Sequence, residues 1–142
     1  MLVRAFQQGR TIMARLDYGK EIIESITAVA DETGITTGTF SVIGALSQAE
    51  LAYYDQQSHQ YMKTSVSTAS ELASCTGNIT IRDGKPFVHA HAVLAGSSYH
   101  AMAGHLVSGT IFAAELYLVE LSGQPLTRAL DPSTGLFLWD GK

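Results

Sequence analysis

The chain has 142 residues, 46% of them apolar, which suffices for one full core but is short for two domains. Nine Lys and Arg residues against thirteen Asp and Glu residues give a formal net charge of −4. The positive charges are scattered along the sequence, so there is no basic stripe to offset the repulsion of a phosphate backbone. We therefore expect a single domain over residues 1–142 and no nonspecific nucleic-acid binding.

The sequence also limits where the protein works. Residues 1–6 lack the charged head, long apolar middle and small-residue cleavage site of a secretory signal. The longest apolar stretch, residues 111–121, is interrupted by Glu115 and is far shorter than the roughly 20 residues that span a bilayer. Cys75 is the single cysteine, which excludes an internal disulfide, and we expect it to be a small buried residue. We expect a cytoplasmic protein with no membrane segment.

One stretch, residues 20–33, has the apolar spacing of an amphipathic helix. The side chains that share its apolar face are Ile22, Ile23, Ile26, Val29 and Ala30. Gly34 follows and predicts the helix end, and Asp17 is the predicted N-terminal cap. We expect the apolar face to lie over a sheet, with the opposite face in water.

The remaining patterns are typical of strands. Residues 2–8 and 10–16 alternate loosely around Gly9, which predicts a hairpin with a tight turn. Residues 56–70 are polar without periodicity, and we expect an irregular surface segment there. Further strands are predicted at residues 38–54, with a kink near Gly44, and at 72–82, 86–94, 110–121 and 136–139. The predicted fold is α/β of the α+β kind: a mostly antiparallel sheet with one main amphipathic helix packed on it.

The dipeptide Asp83-Gly84 separates two predicted strands and is typical of a two-residue type I′ hairpin turn. Such a turn fixes the register of the two strands. It pairs Arg82 with Lys85, Asn78 with His89, Thr76 with His91, and Cys75 with Ala92. A three-residue loop would instead set Ile79 beside His89, so the neighbours of the histidines depend on the type of turn.

Three histidines form the candidate site and are called the histidine trio below. His89 and His91 stand two residues apart on a predicted strand, so both imidazoles project from the same face. His105 follows a glycine in a small-residue turn, which can return a third imidazole over the pair. Three neutral nitrogens leave an open coordination position and fit zinc, with nickel, copper and ferrous iron as competitors. The trio therefore predicts a divalent metal site, with zinc as the first choice.

Other interpretations of the histidines stay open. The trio can instead be core or surface histidines that hydrogen-bond to their neighbours, since the His-x-His pattern occurs in many strands without a metal. If metal binds, Asn78 and Thr76 are the predicted outer groups that orient the ring N–H bonds. His59 and His100 have no matching spacing, and we expect both to be solvated.

Glu115 is the candidate catalytic residue. It interrupts an apolar run, and a carboxylate in a central strand is costly unless it is paired or bound to a metal. It could act as a fourth metal ligand or as a general base for a water whose pKa zinc lowers to roughly 7. The alternative is a structural carboxylate that accepts hydrogen bonds from an arginine or from backbone N–H groups.

Six segments, taken in order, form a specific set, although no single one is decisive. They are residues 38–45, 77–79, 84–92, 104–106, 109–115 and 135–139. In this order they resemble the plant-and-prokaryote-conserved (PPC) domain, a family that also occurs in plant AT-hook proteins. The resemblance covers most of the chain.

The resemblance implies a homotrimer in which the matching histidine trio binds a metal. The plant relatives bind AT-rich DNA through a separate Arg-Gly-Arg-Pro hook that precedes the domain. We do not expect that mode of binding here, because Gly9-Arg10 is followed by Thr11. DNA binding by this chain therefore rests on family analogy alone.

Two functions from different classes follow. The first is a homotrimeric, metal-containing binding or regulatory module of unknown biochemical role, with a protein partner or a small molecule as its ligand. The second is a metal-dependent hydrolase or lyase that acts on a small molecule, with Glu115 as the base. An apolar-walled pocket with an open metal position favours the enzyme, whereas a coordinatively closed site favours a structural role.

Overall fold

The computed structural model describes residues 1–140, which form a strand-rich fold with one short helix. The elements are β1 (Gln7–Leu16), α1 (Ile22–Thr33), β2 (Gly38–Asp55), β3 (Gln60–Val66), β4 (Ser70–Arg82), β5 (Lys85–Ala95), β6 (Ala101–Ser122), β7 (Thr127–Leu130) and β8 (Phe137–Asp140). The expected antiparallel sheet is confirmed, and the one parallel pairing among these strands is a short contact between β4 and β7. Within the same residues, no helix has the length and apolar character that crossing a membrane requires.

The strands form one sheet in the order β3-β2-β6-β5-β4-β7-β8, and β1 adds to β6. β2 pairs with β6 over most of its length, and the first half of β2 also pairs with β4. The pairings of β2, β6, β5 and β4 therefore form a closed circuit. Buried side chains of this circuit pack with those of α1 in one core, which includes Ile22 and Ile26 of α1 and Leu72, Ile79, Leu94, Ile111 and Leu118 of the strands.

Helix α1 has 12 residues and is shorter than the main helix that we expected. Its buried residues follow the predicted spacing: Ile22, Ile26 and Ala30. Gly34 ends it in the left-handed conformation, with φ 69°. The predicted cap is wrong, because Glu21 and not Asp17 accepts the hydrogen bond from the backbone N–H of Glu24, at 2.7 Å. The second carboxylate oxygen of Glu21 accepts from the N–H of Gly109 at 3.0 Å, which ties the helix to β6.

The predicted N-terminal hairpin is wrong. Residues 1–6 lie outside regular structure, and β1 is one strand that pairs antiparallel with β6. Gly9 lies at a register shift between Gln8 and Thr11, which places it in a β-bulge rather than in a turn. A Cβ at Gly9 would lie 2.7 Å from the hydroxyl oxygen of Ser122. The close approach of the neighbouring strand thus explains the glycine.

Three other strands differ from the prediction. Residues 60–66, inside the segment expected to be irregular, form β3 and pair with β2. All side chains of β3 are exposed except that of Val66, so no apolar alternation marks this strand in the sequence. β7 lies outside every predicted element, and β6 begins nine residues earlier than the strand predicted at 110–121.

The two glycine features predicted inside the sheet are confirmed. β2 has a register shift between Val42 and Gly44, and Gly44 has φ 149° and would carry a Cβ into the carbonyl group of Ala113. In the hairpin of β4 and β5, Asp83 and Gly84 have φ values of 52° and 76°, as a type I′ turn requires. The predicted register follows, with Arg82 opposite Lys85, Asn78 opposite His89, Thr76 opposite His91 and Cys75 opposite Ala92.

Candidate metal centre

Two neighbouring strands bring the histidine trio together. His89 and His91 lie on β5, and His105 lies directly opposite His91 on β6. The prediction that His105 lies in a turn is wrong, because β6 already begins at Ala101. Gly104, the residue before it, lets β2 approach closely, since a Cβ there would lie 2.9 Å from the carbonyl oxygen of Ala52. Paired strands rather than a loop therefore hold all three imidazoles.

The three side chains are close enough to share one ion. One nitrogen from each imidazole lies within 4.8 Å of the other two. The ring centroid of His89 is 5.2 Å from those of His91 and His105, and the latter two are 5.6 Å apart. Side-chain rotations that bring the three nitrogens closer together would place them at the metal–nitrogen distance of zinc, about 2.0–2.1 Å. The donor set therefore fits a divalent metal that accepts imidazole ligands.

The environment keeps two of the imidazoles neutral, which is the form that binds metals. Burial lowers the pKa of His89 to about 4, with smaller contributions from the positive charges of His105, Arg128 and His91. Burial and then the charge of His91 lower the pKa of His105 as well. Within residues 1–140, the buried Nδ1 of His105 has no hydrogen-bond partner. Since such an atom is costly when left unpaired, it also fits a metal or ligand contact.

The trio lies in the wall of a solvent-accessible pocket with a volume of about 640 Å³, within the range of about 300–1,000 Å³ that is typical of small-molecule sites. Two guanidinium groups, those of Arg82 and Arg128, line the same pocket. Most of the remaining wall is aromatic or aliphatic: Tyr54, Tyr61, Phe87, Leu136, Phe137 and Leu138. The structure therefore contains the largely apolar pocket beside the trio that we named as favouring an enzyme.

The sequence interpretation missed the other side chains of this pocket. Tyr61 lies on β3 opposite Tyr54 on β2, and its ring centroid is 5.2 Å from that of His105. No local signal marks it, because its approach to the trio depends on the pairing of β3, β2 and β6. His59 and His100 are exposed, as expected.

Glu115 does not reach the trio. It lies on the exposed face of β6, opposite Arg15 on β1 and Ile43 on β2. The alternation of the strand gives the reason, since Ala114 and Leu116 on either side of it are buried in the core. The predicted roles of Glu115 as a fourth ligand or general base are therefore wrong, and its exposure removes the need for a buried partner.

Asn78 and Thr76 lie opposite His89 and His91 in the sheet, as predicted. The amide oxygen of Asn78 accepts a hydrogen bond from Nη2 of Arg128 at 2.9 Å. Thr76 is exposed. That either residue orients an imidazole stays a prediction.

Comparison with known families identifies the domain. Residues 3–122 match the model of the Plants and Prokaryotes Conserved (PCC) domain. The chain belongs to this family. The match includes the whole histidine trio, and it confirms the resemblance expected from the ordered segments. A search among curated proteins gives no match.

Solved structures of similar proteins share the fold over nearly their whole length. A metal-containing protein from Archaeoglobus fulgidus has 40% identity, with 98% of this chain and 99% of that chain covered and a TM-score of 0.95. A plant- and prokaryote-conserved protein from Pyrococcus horikoshii has 34% identity, coverage of 100% and 99%, and a TM-score of 0.94. A protein from Bacteroides thetaiotaomicron, provisionally described as DNA-binding, has 25% identity, coverage of 95% and 96%, and a TM-score of 0.85.

Proposed function

We propose that this PCC-domain protein binds a divalent metal ion through His89, His91 and His105, and that the ion and the adjacent pocket form a binding site for a small molecule. The protein then acts as a ligand-binding or regulatory module. One observation carries the proposal: three imidazole nitrogens lie within 4.8 Å of one another in the wall of a largely apolar pocket. Zinc is the metal that we expect, with nickel, copper and ferrous iron as competitors for the same donors.

Two further points support a metal at this position. The buried Nδ1 of His105 lacks a hydrogen-bond partner among the described residues, as a nitrogen reserved for another contact would. The similar protein from Archaeoglobus fulgidus is described as metal-containing. When bound, a divalent metal supplies a Lewis acid with an open coordination position. The chain itself supplies apolar walls that hold a ligand body and exclude water.

The test is elemental analysis of tag-free protein purified without a chelator. We expect about one metal ion per chain in the wild type and almost none in the triple variant His89→Ala, His91→Ala, His105→Ala. The matched control is His100→Ala, which removes an exposed histidine outside the pocket and should keep the wild-type metal content. If the wild-type protein stays metal-free after incubation with zinc, the proposed metal site is contradicted and the trio is a set of structural histidines.

We also propose that the protein is a homotrimer. Large apolar side chains are exposed on one outer area of the sheet, where Met13 faces Tyr117 across β1 and β6 and Ile43 lies opposite Glu115. Met13 is 77% exposed and Ile43 is 57% exposed, and patches of this kind mark subunit interfaces. Native mass spectrometry should give a trimer for the wild type and smaller species for the double variant Met13→Glu, Ile43→Glu. A monomeric wild type would contradict the proposal.

A small molecule suits this chain better than DNA. The argument for DNA is that relatives, among them the Bacteroides protein, are provisionally described as DNA-binding. Against it, the formal net charge is −4, and phosphate contacts need clustered positive charge. We therefore expect no retention of AT-rich duplex DNA in gel electrophoresis at physiological salt, and clear retention would favour a DNA-binding regulator.

The second candidate function is a metal-dependent hydrolase or lyase. The openness of the pocket favours it, and Tyr61, near His105, replaces Glu115 as the candidate for proton transfer. Zinc-loaded wild type, chelator-treated wild type and the triple histidine variant should be incubated with small esters and carboxylic acids and followed by NMR. Turnover that requires both zinc and the trio would establish an enzyme.

A further inference from the structure

A guanidinium group that donates hydrogen bonds to three neutral groups lies in the wall of the same pocket as the histidine trio. Arg128 projects from β7 and is partly buried. It donates three hydrogen bonds, from Nε to the hydroxyl of Thr80 at 2.8 Å, from Nη1 to the carbonyl of Phe137 at 2.7 Å, and from Nη2 to the amide oxygen of Asn78 at 2.9 Å. These bonds fix the side chain but bring no negative charge to it. They occupy three of its five N–H donors, so two remain for a ligand.

The second guanidinium adds to this positive charge. Arg82 lies 3.5 Å from the ring centroid of Phe137 and also lines the pocket. Its ion pair with Asp83 is 3.5 Å long and the Asp83 side chain is 86% exposed, so water screens the interaction. Among the described residues that line the pocket, none carries a carboxylate. A partly desolvated pair of cations in such a setting favours an anionic ligand.

The positive charge and the trio belong to the same cavity. Asn78, which holds Arg128, lies directly opposite His89 in the sheet. The guanidinium carbon of Arg128 is also 5.2 Å from the ring centroid of Phe87, which lines the pocket with His89. A ligand of small size can therefore contact the guanidinium, the aromatic wall and the trio at once.

We infer that the ligand of this pocket is a small organic carboxylate with an apolar body. Arg128 holds the carboxylate, because the planar guanidinium matches two carboxylate oxygens better than it matches any neutral group. The apolar body lies against Phe87 and Phe137. This assignment of the ligand class rests on the proposed function for its metal contact, whereas the recognition by Arg128 does not need the metal. Inorganic phosphate would satisfy the guanidinium but would leave the apolar wall in water.

Isothermal titration calorimetry on zinc-loaded wild-type protein tests the inference with three probes. Phenylacetate should bind at least about tenfold more tightly than its neutral isostere phenylacetamide, because only the anion pairs with the guanidinium. Phenylacetate should also bind more tightly than inorganic phosphate. Equal affinities for phenylacetate and phenylacetamide, no binding of phenylacetate, or a preference for phosphate would each overturn the inference.

Two variants locate the contact. Arg128→Gln should weaken phenylacetate binding at least about tenfold, whereas Arg15→Gln, an exposed arginine on β1 outside the pocket, should leave it unchanged. Full binding by folded Arg128→Gln would also overturn the inference. If that variant does not fold, the comparison of phenylacetate with phenylacetamide on the wild type still tests the inference. Zinc content measured in the same samples separates the two proposals. If the protein takes up no zinc but still prefers phenylacetate, the carboxylate site is supported and the proposed metal site is contradicted.

Discussion

Replacing Gly77 with alanine tests how the sheet fixes the position of His89. Gly77 lies on β4 opposite Ala90, the residue after His89. A Cβ at Gly77 would overlap the carbonyl oxygen of His89 and lie 2.5 Å from Cζ of Phe40, whereas real Cβ contacts essentially never fall below 3.0 Å. Phe40 is only 3% exposed and is held by the core. The backbone of β5 therefore has to move.

The structure gives the size of the effect. Overpacking a core costs about 1–3 kcal/mol, and the upper end applies because one overlapping atom is backbone. A loss of about 3 kcal/mol lowers the melting temperature of a domain of this size by roughly 10 °C. The overlap with the carbonyl oxygen of His89 is larger than that with Phe40, so β5 has to move by more than the 0.5 Å that Phe40 alone would require. Metal–nitrogen distances tolerate only about 0.2 Å. We therefore expect the zinc affinity of Gly77→Ala to fall at least about tenfold, a typical effect of disturbing the support of a ligand.

Thermal unfolding and zinc competition with a chromogenic chelator measure both effects. The matched control is Gly96→Ala, because a Cβ at Gly96 meets no atom within 4 Å. Gly96→Ala should have the melting temperature and zinc affinity of the wild type. The reasoning is refuted if Gly77→Ala equals this control in both measurements.

Three further predictions concern the core, the acid response and the thiol. Ile26 is fully buried, so Ile26→Ala should lower the free energy of unfolding by about 2–5 kcal/mol in urea titrations. A loss below about 1 kcal/mol would contradict this, because it would mean that neighbouring side chains fill the cavity. Hydrogen bonds from Arg10 lower the pKa of Glu120 to about 2. Because this lies below the ordinary value of 4.5, the pair stabilises the fold above pH 4.5 and its contribution disappears as the pH falls towards 2. Glu120→Gln should flatten the pH dependence of the urea midpoint in that range, and an unchanged profile would count against the pair. Burial raises the pKa of the Cys75 thiol to about 12, so a thiol reagent near about pH 8 should label only unfolded protein, and full labelling of native protein would contradict this.

Features that depend on neighbouring residues could be predicted from the sequence. The Asp83-Gly84 turn has its own backbone requirement, so it fixed which residues face His89 and His91. The spacing of apolar residues similarly located α1 and its end at Gly34. The kink at Gly44 followed because a glycine inside a long strand pattern indicates a bulge or a close approach.

Features that depend on distant residues could not be predicted. Gly9 suggests a turn when β1 is considered alone, and only the neighbouring side chain of Ser122 shows why a bulge needs it. The exposure of Glu115 depends on which face of β6 meets the core, and an apolar run on both sides hides that alternation. Arg128 lies 39 positions after His89 and reaches the pocket through hydrogen bonds to β4, so nothing near it in the sequence indicates a site.

The chain positions of the paired strands have a consequence for folding kinetics. The histidine trio lies within a continuous meander of β4, β5 and β6, whose neighbours are joined by short connections. The circuit of β2, β6, β5 and β4 closes, by contrast, only when β2 pairs with β6, which places Gly38 opposite Glu120. β1 pairs with the same end of β6, which is also distant along the chain. Local contacts form early and distant ones form late, because distant contacts require a larger loss of chain entropy. Assembly of the histidine trio and closure of the sheet are therefore separate kinetic events, and the three imidazoles can come together before the N-terminal half of the chain has docked.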